Sequence, residues 1–191
     1  MTKEKLRPRD DLYRYEGERS RILGVRLRYR LFTPGYRFTY YFRKASASRT
    51  IFGKLIYYPL FHLAKFRTGI QIPIGTNIGK GMKIAHFGTI VVNPGARIGY
   101  NFNIAQGCLV GNAQGKKAGV PTIGNNVFMG ANSIIIGGVA IGDNCLIAPG
   151  AFVNFDMPDN SIAIGNPAKL IRKESSPTAK YIVFPAPGTK I

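Results

Sequence analysis

A six-residue repeat of aliphatic residues runs through the second half of the chain and restricts its fold more than any other feature. The repeats begin at Ile72, Ile78, Ile84, Val92, Ile98, Ile104, Val110, Ile123, Met129, Ile135, Ile141, Ile147 and Val153. A two-residue slip follows Ile84, and a seven-residue insertion, KKAGVPT, follows the hexad of Val110. Thirteen hexads are far beyond chance, and this period predicts a parallel β-helix.

The six-residue period has a simple physical basis. Each one supplies a short strand and a turn, and three form a coil of triangular section whose first-position aliphatics point inward and stack. Gly, Asn and Asp near the turns accept backbone angles that other residues resist. The fifth position is usually small, and Cys108 and Cys145 both occupy it, which predicts packed core residues rather than reactive thiols. The Ile-Gly-x-x-small pattern indicates a left-handed parallel β-helix of about five coils, an exception to the usual right-handed crossover.

The first third of the chain differs in composition. Residues 1–68 hold 17 Lys or Arg against 5 Asp or Glu, so they carry +12 of the net charge of +18. We predict two or three short helices there, broken near Pro34 and Gly35 and weakened around ASASRT at 45–50. In 51–66, apolar residues recur at helical spacing. The sequence therefore predicts a short basic α-helical region (1–68), an all-β main domain (69–173) and a C-terminal tail (174–191).

Several classes of protein are excluded. A hydrophobic content of 45% with 23 glycines is typical of a globular chain, not a disordered one. No apolar run approaches the roughly 20 residues that span a bilayer, and the N-terminal residues contain no hydrophobic signal region. We therefore expect a cytoplasmic protein. Two distant cysteines give neither a metal-binding spacing nor a disulfide framework, so no metal is expected.

The basic, aromatic N-terminal region leaves three interpretations open. Basic amphipathic helices with aromatic faces often meet anionic membrane surfaces, which would place the protein peripherally at the inner membrane face. A solvated face with packing between subunits is the second interpretation. Nucleic-acid binding is the third and is disfavoured, because no recognition motif is present.

Residues 69–173 resemble the hexapeptide-repeat, left-handed β-helix acyltransferases, in particular the serine acetyltransferase-like branch that includes capsular and exopolysaccharide O-acetyltransferases. The resemblance rests on GIQIPIGTNIGKGMKIAHFGTIVVNPGARIG, on NAQGKKAGVPTIGNNVFMGANSIIIGG and on MPDNSIAIGNPAKLIR. It implies a homotrimer with active sites between subunits and acetyl-CoA as the acyl donor. A γ-class carbonic anhydrase shares this fold but needs three metal-binding histidines, whereas the repeat region holds His86 alone.

The resemblance places the catalytic base at His86. O-acylation requires a hydroxyl proton to be removed as oxygen attacks a thioester, and histidine is the side chain best matched to this task at neutral pH. The slip after Ile84 should push His86 out of the repeat and into the cleft between neighbouring subunits. The orienting partner is expected to be a backbone carbonyl or an amide, such as Gln71 or Asn103.

Departures from the family pattern concern the acceptor. Serine acetyltransferases carry Asp and His where this chain has Gln71 and Pro73, and often Asp where it has Ala85. Because a serine ammonium needs an acidic partner, we expect a saccharide acceptor, bound by neutral groups. The predicted substrate-binding residues are Gln71, Asn93, Asn103 and Gln106. The alternatives are serine or another small-molecule acceptor, and a non-catalytic scaffold.

The resemblance also implies contacts with coenzyme A, mostly from small turn residues. The expected residues are Gly111, Lys116, Lys117, Gly130, Ala131, Pro149, Asn154, Lys169 and Arg172. Lys116 and Lys117 would meet the anionic ADP end of the cofactor. Phe155 stands where relatives often have a lysine.

Overall fold

Four α-helices precede the repeats in the computed structural model, which describes residues 6–191. They are α1 (Pro8–Glu16), α2 (Leu23–Phe32), α3 (Pro34–Ala47) and α4 (Ile51–Thr68), with a 3₁₀ turn at Gly17–Arg21. Pro34 begins α3, where its missing N–H costs nothing, and the Thr50 side chain caps α4 by accepting the N–H of Gly53 at 3.1 Å. The helix breaks lie where the sequence predicts them, although the structure has four helices rather than two or three.

The first five residues of the predicted basic region lie outside the described residues. Within residues 6–191, no helix combines the length and the apolar character needed to cross a bilayer.

The repeats form short strands in three sheets. The strands are β1 (Asn77–Ile78), β2 (Val91–Val92), β3 (Arg97–Ile98), β4 (Asn103–Ile104), β5 (Leu109–Gly111), β6 (Thr122–Ile123), β7 (Phe128–Met129), β8 (Ile134–Ile136), β9 (Ala140–Ile141), β10 (Leu146–Ile147), β11 (Phe152–Val153), β12 (Ser161–Ile164) and β13 (Lys169–Arg172). Sheet I is ordered β1-β3-β6-β9, sheet II is β4-β7-β10-β12-β13, and sheet III is β2-β5-β8-β11. All these strand pairs are parallel except β12 with β13.

The hexad pattern determines which side chains fill the interior of the coils. All thirteen first-position residues are buried, with at most 5% of their surface exposed, and equivalent residues stack in register, as Ile78, Ile98 and Ile123 do. The predicted parallel-sheet fold of hexapeptide repeats after short helices is thereby confirmed. Cys108 and Cys145 are also fully buried, as predicted. Burial raises the pKa of the Cys145 thiol to about 11, so it stays protonated and unreactive at neutral pH.

The outer faces of the three sheets differ. Sheet I presents an exposed row that consists of Asn77, Arg97, Thr122 and Ala140, of which the first three are polar. Sheet II is covered by the C-terminal segment, where the rings of Phe128 and Tyr181 lie 4.6 Å apart. Sheet III presents an apolar row of half-buried side chains, which consists of Val91, Leu109, Ile134 and Phe152. Sheet III is therefore the face best suited to a further apolar contact.

A buried ion pair caps the first turn of the repeats, where parallel strands would otherwise leave unpaired backbone groups. Asp11 and Arg43 form a bidentate pair with N···O distances of 2.8 and 3.1 Å. Asp11 also accepts the N–H groups of Gly81 and Met82, each at 2.9 Å, and Arg43 donates to the carbonyls of Ile78 and Gly79. Helices α1 and α3 thus close the exposed edge that a solenoid needs to protect.

A ladder of asparagines anchors the C-terminal segment. Asn101, Asn126, Asn144 and Asn160 all have φ near +57°, a conformation that asparagine tolerates. Each side chain donates to the next at 2.9 Å, and Asn126 also donates to the carbonyl of Lys190. The final residues therefore pack along the repeats.

Candidate active site

The slip after Ile84 carries His86 to the surface. Ile84 and Ile90 are fully buried, whereas Ala85, His86, Phe87 and Thr89 are exposed. Gly88 and Thr89 have φ of 118° and 30°, so the extra residues form a bulge that uses the left-handed region. The sequence predicts this outward position of His86.

The segment before His86 is held from behind by Tyr15, which the sequence does not single out, and by Gly35, which the sequence marks only as a helix break. The Tyr15 hydroxyl accepts the N–H of Ile84 at 3.0 Å and donates to the Ile84 carbonyl at 2.8 Å. On its other side this segment pairs through Lys83 with Asn103. At Gly35, a β-carbon would collide with the Ile84 carbonyl oxygen, so glycine permits the close approach of α3. Both contacts fix the backbone two residues from His86.

The bulge heads a column of turns that runs along the corner between sheets II and III. Three backbone hydrogen bonds join the turns. The N–H of Gly107 donates to the Gly88 carbonyl at 3.3 Å, that of Asn132 to the Gln106 carbonyl at 2.9 Å, and that of Gly150 to the Ala131 carbonyl at 2.9 Å. His86, Gln106, Ala131 and Pro149 therefore belong to successive turns of one corner. In the described part of the chain, Gln106 Oε1 is buried without a hydrogen-bond donor.

The four predicted substrate-binding residues separate into two pairs. Gln106 lies in the corner column, and Gln71 lies beside the bulge, since it bridges to Val91 and is exposed. Gln71 also lines a cavity of about 510 Å³ with His62, Lys65, Phe66 and Gly69.

The second pair lies elsewhere. Asn93 follows β2 at the far side of sheet III, and its side chain accepts the N–H of Gly95 at 2.9 Å. Asn103 is buried beneath α1, where its oxygen accepts from Arg14 at 2.9 Å and its amide donates to the Tyr181 carbonyl at 3.3 Å. These contacts occupy the Asn103 amide that the sequence assigned to substrate or to the base.

The predicted coenzyme A contacts are likewise split. Gly130, Ala131 and Pro149 lie in the corner column with His86, and Pro149 packs against Gly130. Gly111 is buried at the end of β5, beside Ile136.

The remaining predicted contacts are exposed and lie away from the column. They are Lys116, Lys117 and Asn154 near the loop after β5, and Lys169 and Arg172 on β13. Lys117 already pairs with Asp156 at 2.7 Å, an interaction that lowers the pKa of that carboxyl.

Across residues 6–191, no group of three or more His, Cys, Asp or Glu side chains could hold a metal ion.

Comparison with known proteins gives one consistent family. Residues 121–154 match the family model described as bacterial transferase hexapeptide (six repeats). The Helicobacter pylori serine acetyltransferase is 37% identical over 118 residues, which cover 60% of this chain and 68% of that protein. The Neisseria gonorrhoeae serine acetyltransferase structure is 27% identical, covers 91% of this chain and 68% of its own, and gives a TM-score of 0.70. Its complex with serine gives 26% identity, coverage of 85% and 66%, and a TM-score of 0.69.

These relatives overturn the expected acceptor. The saccharide acceptor predicted from the sequence, and with it a role in polysaccharide biosynthesis, is wrong, because the relatives that this chain covers over two thirds of their length are serine acetyltransferases. The error came from requiring a carboxylate near His86 within one chain. With the outward histidine, the column of small turn residues and these relatives, the chain belongs to the serine acetyltransferase branch of the hexapeptide-repeat transferases and is an O-acetyltransferase.

Proposed function

We propose that this chain transfers an acetyl group from acetyl-CoA to the hydroxyl of serine, or of a similarly small acceptor, with His86 as general base. The carrying observation is the outward position of His86 on a bulge that Tyr15 and Gly35 hold from behind. A preorganised base of this kind gains its effect from position, because the imidazole must reach the acceptor proton as the oxygen attacks.

In this reaction, the His86 imidazole removes the hydroxyl proton while the acceptor oxygen attacks the thioester carbonyl carbon. The new C–O bond forms, the C–S bond breaks, and the proton passes from the imidazolium to the departing sulfur as the free thiol. Gln71 and Gln106 supply neutral amides beside the base. The small residues Gly130, Ala131 and Pro149 let the donor lie close to the backbone along the corner column.

We infer an oligomer from the exposure of His86 and Gln71 to solvent. We expect the apolar row on sheet III, which starts beside Gln71 and the bulge, to pack against a second copy in a homotrimer. A neighbouring copy would then cover His86 and supply the counter-charge that the serine ammonium needs.

The proposal also includes a left-handed path of about five coils, and the division of the chain into residues 1–68, 69–173 and 174–191. A membrane contact is a separate proposal, which does not rest on the similarity to serine acetyltransferases.

Acceptor choice is tested by release of the free thiol from acetyl-CoA. With L-serine we expect kcat/KM of about 10⁴ M⁻¹s⁻¹ or more, an ordinary enzyme value, and no release above background with L-alanine, which lacks the hydroxyl. L-homoserine and ethanolamine test whether the chain length and the carboxylate of the acceptor matter. If none of the three hydroxyl-bearing compounds is acetylated, the small-acceptor proposal is overturned.

The trimer is tested by light scattering at micromolar concentration. We expect a trimeric mass for the wild type and a monomeric mass with little activity for Leu109→Glu, because a charge would enter the apolar row of sheet III. Thr122→Glu places the same charge on the exposed face of sheet I and should leave the mass unchanged. A wild-type monomer that retains full activity would contradict a site shared between copies.

A further inference from the structure

Helix α4 exposes a continuous apolar stripe. Ile51, Phe52, Leu55, Ile56, Leu63 and Phe66 are between 46% and 89% exposed. At 100° per residue they fall within an arc of about 140° on the helix, and the opposite side packs inward through Phe61, Ala64 and Thr68. Soluble monomers rarely expose large aliphatic and aromatic side chains side by side, so this stripe indicates a contact surface.

Helix α2 repeats the pattern on a smaller scale. It has no buried residue, and Leu23, Leu27 and Leu31 form an exposed row along one side. Arg26 and Arg30 flank that row on the helix. Both helices thus combine an exposed apolar side with basic neighbours.

The charge of this region has one sign. Residues 23–68 contain ten Lys or Arg and no Asp or Glu. Two of the ten meet carboxylates from outside the segment: Arg43 pairs with Asp11 and Arg28 with Glu16. A surface made from α2, α3 and α4 is therefore strongly cationic.

A basic pocket concentrates this charge between α1, α2 and α3. It has a volume of about 330 Å³, and its lining includes the cationic side chains of Arg7, Arg9, Arg26, Arg30 and Lys44. Leu23 and Leu27 of the α2 row also line it, as do Tyr36 and Tyr40. Within residues 6–191, none of the five cationic side chains forms an ion pair with a carboxylate; the nearby Asp10 accepts the backbone N–H of Arg7.

The pocket connects to α4 through Lys44. Its Nζ lies 6.0 Å from the centre of the Tyr40 ring in the pocket and 5.5 Å from that of Tyr57 on α4. Arg30 lies over the same Tyr40 ring at 5.6 Å. Phosphate-sized anions suit such a group of cations, since guanidinium groups bind them through paired hydrogen bonds.

We propose that α2 and α4 dock on an anionic phospholipid surface, with their apolar stripes at the level of the acyl chains and lipid phosphates in the basic pocket. Interfacial helices of this type combine one apolar side with a Lys- and Arg-rich remainder. A second copy of the chain is a poorer occupant, because a symmetric contact through α2–α4 would bring the cations of residues 23–68 together with no carboxylate from the same segment to offset them. The inference does not depend on the proposed reaction, since neither acetyl-CoA nor an acceptor takes part.

The test is sedimentation of the full chain with vesicles. We expect binding to phosphatidylcholine vesicles that contain phosphatidylglycerol, little binding to phosphatidylcholine alone, and weaker binding as salt rises. Phe52→Ser with Phe66→Ser should lower the affinity about 10-fold or more, because both side chains are exposed and would enter the membrane. Arg26→Gln with Arg30→Gln should do the same by emptying the pocket of two cations.

Arg97→Gln with Lys180→Gln is the matched control, since it removes the same charge from exposed positions outside α1–α4. We expect its affinity to stay within about twofold of wild type. Equal losses in this control and the Arg26 and Arg30 pair would show attraction by net charge only and overturn the site. Three other results would also overturn the site. They are vesicle binding that survives either helix variant, a helix variant that changes the mass of the oligomer instead of vesicle binding, and binding of inorganic phosphate without binding of vesicles.

Discussion

Replacing His86 by alanine is expected to lower kcat for acetyl transfer by about 10²–10⁴-fold, the usual share of a general base. The thermal midpoint should change by less than about 2 °C, because the His86 side chain is exposed and its removal takes nothing from the core. Thiol release under saturating substrates and a thermal melt measure the two quantities on the same preparation.

The other histidine separates two interpretations of this result. His62 lies on α4 and lines the cavity beside Gln71, so it is the one alternative imidazole near the bulge. Loss of transfer in His62→Ala together with retained transfer in His86→Ala would reassign the base. Unfolding of His86→Ala would instead make the histidine a structural part of the bulge.

Asp11→Ala is expected to cost about 3–5 kcal/mol of unfolding free energy, the usual effect of removing one partner of a buried pair. The Arg43 guanidinium would remain in a site where its side chain is 2% exposed. The N–H groups of Gly81 and Met82 would also lose their acceptor. Chemical denaturation of the full chain measures the loss.

Asp10→Ala is the matched control, because the neighbouring carboxylate is only partly buried and accepts one backbone N–H at 3.3 Å. We expect it to cost about 1 kcal/mol, the usual net contribution of one hydrogen bond, since Asp10 accepts only the N–H of the N-cap residue Arg7. The double variant Asp11→Ala with Arg43→Ala should lose less than the sum of the two single losses, since no unpaired charge remains. Equal losses for Asp10→Ala and Asp11→Ala would show that the pair does not hold the first turn.

The repeats were predictable because every turn of a solenoid imposes the same environment. An aliphatic residue at each sixth position is enough to identify the inward row, and the buried positions of Ile78, Ile98 and Ile123 follow from it. The cap was not predictable in this way, since Asp11, Arg43 and Gly81 are far apart in the sequence and belong to no period. The helical spacing in 51–66 revealed α4 but not that its apolar stripe is exposed, because a pattern does not say what lies opposite it.

The site was predictable to the same extent as the repeat. The slip identified His86 as an outward residue, and the resemblance named Ala131 and Pro149, which the structure places in one column with it. Asn93 and Asn103 were grouped with the base because they are close in sequence, but the coil puts one across sheet III and the other beneath α1. The acceptor was mistaken because the uncharged residues Gln71, Pro73 and Ala85 were taken to exclude serine, whereas the relatives that match are named for it.

Identification of the acetylated product tests the central claim most directly. Wild-type protein incubated with acetyl-CoA and L-serine should form O-acetylserine, one per thiol released, as measured by mass spectrometry. His86→Ala, at the same concentration and with an unchanged melt, should form about 10²-fold less or lower still. Equal product from both proteins, or thiol release by the wild type without O-acetylserine, would contradict the account.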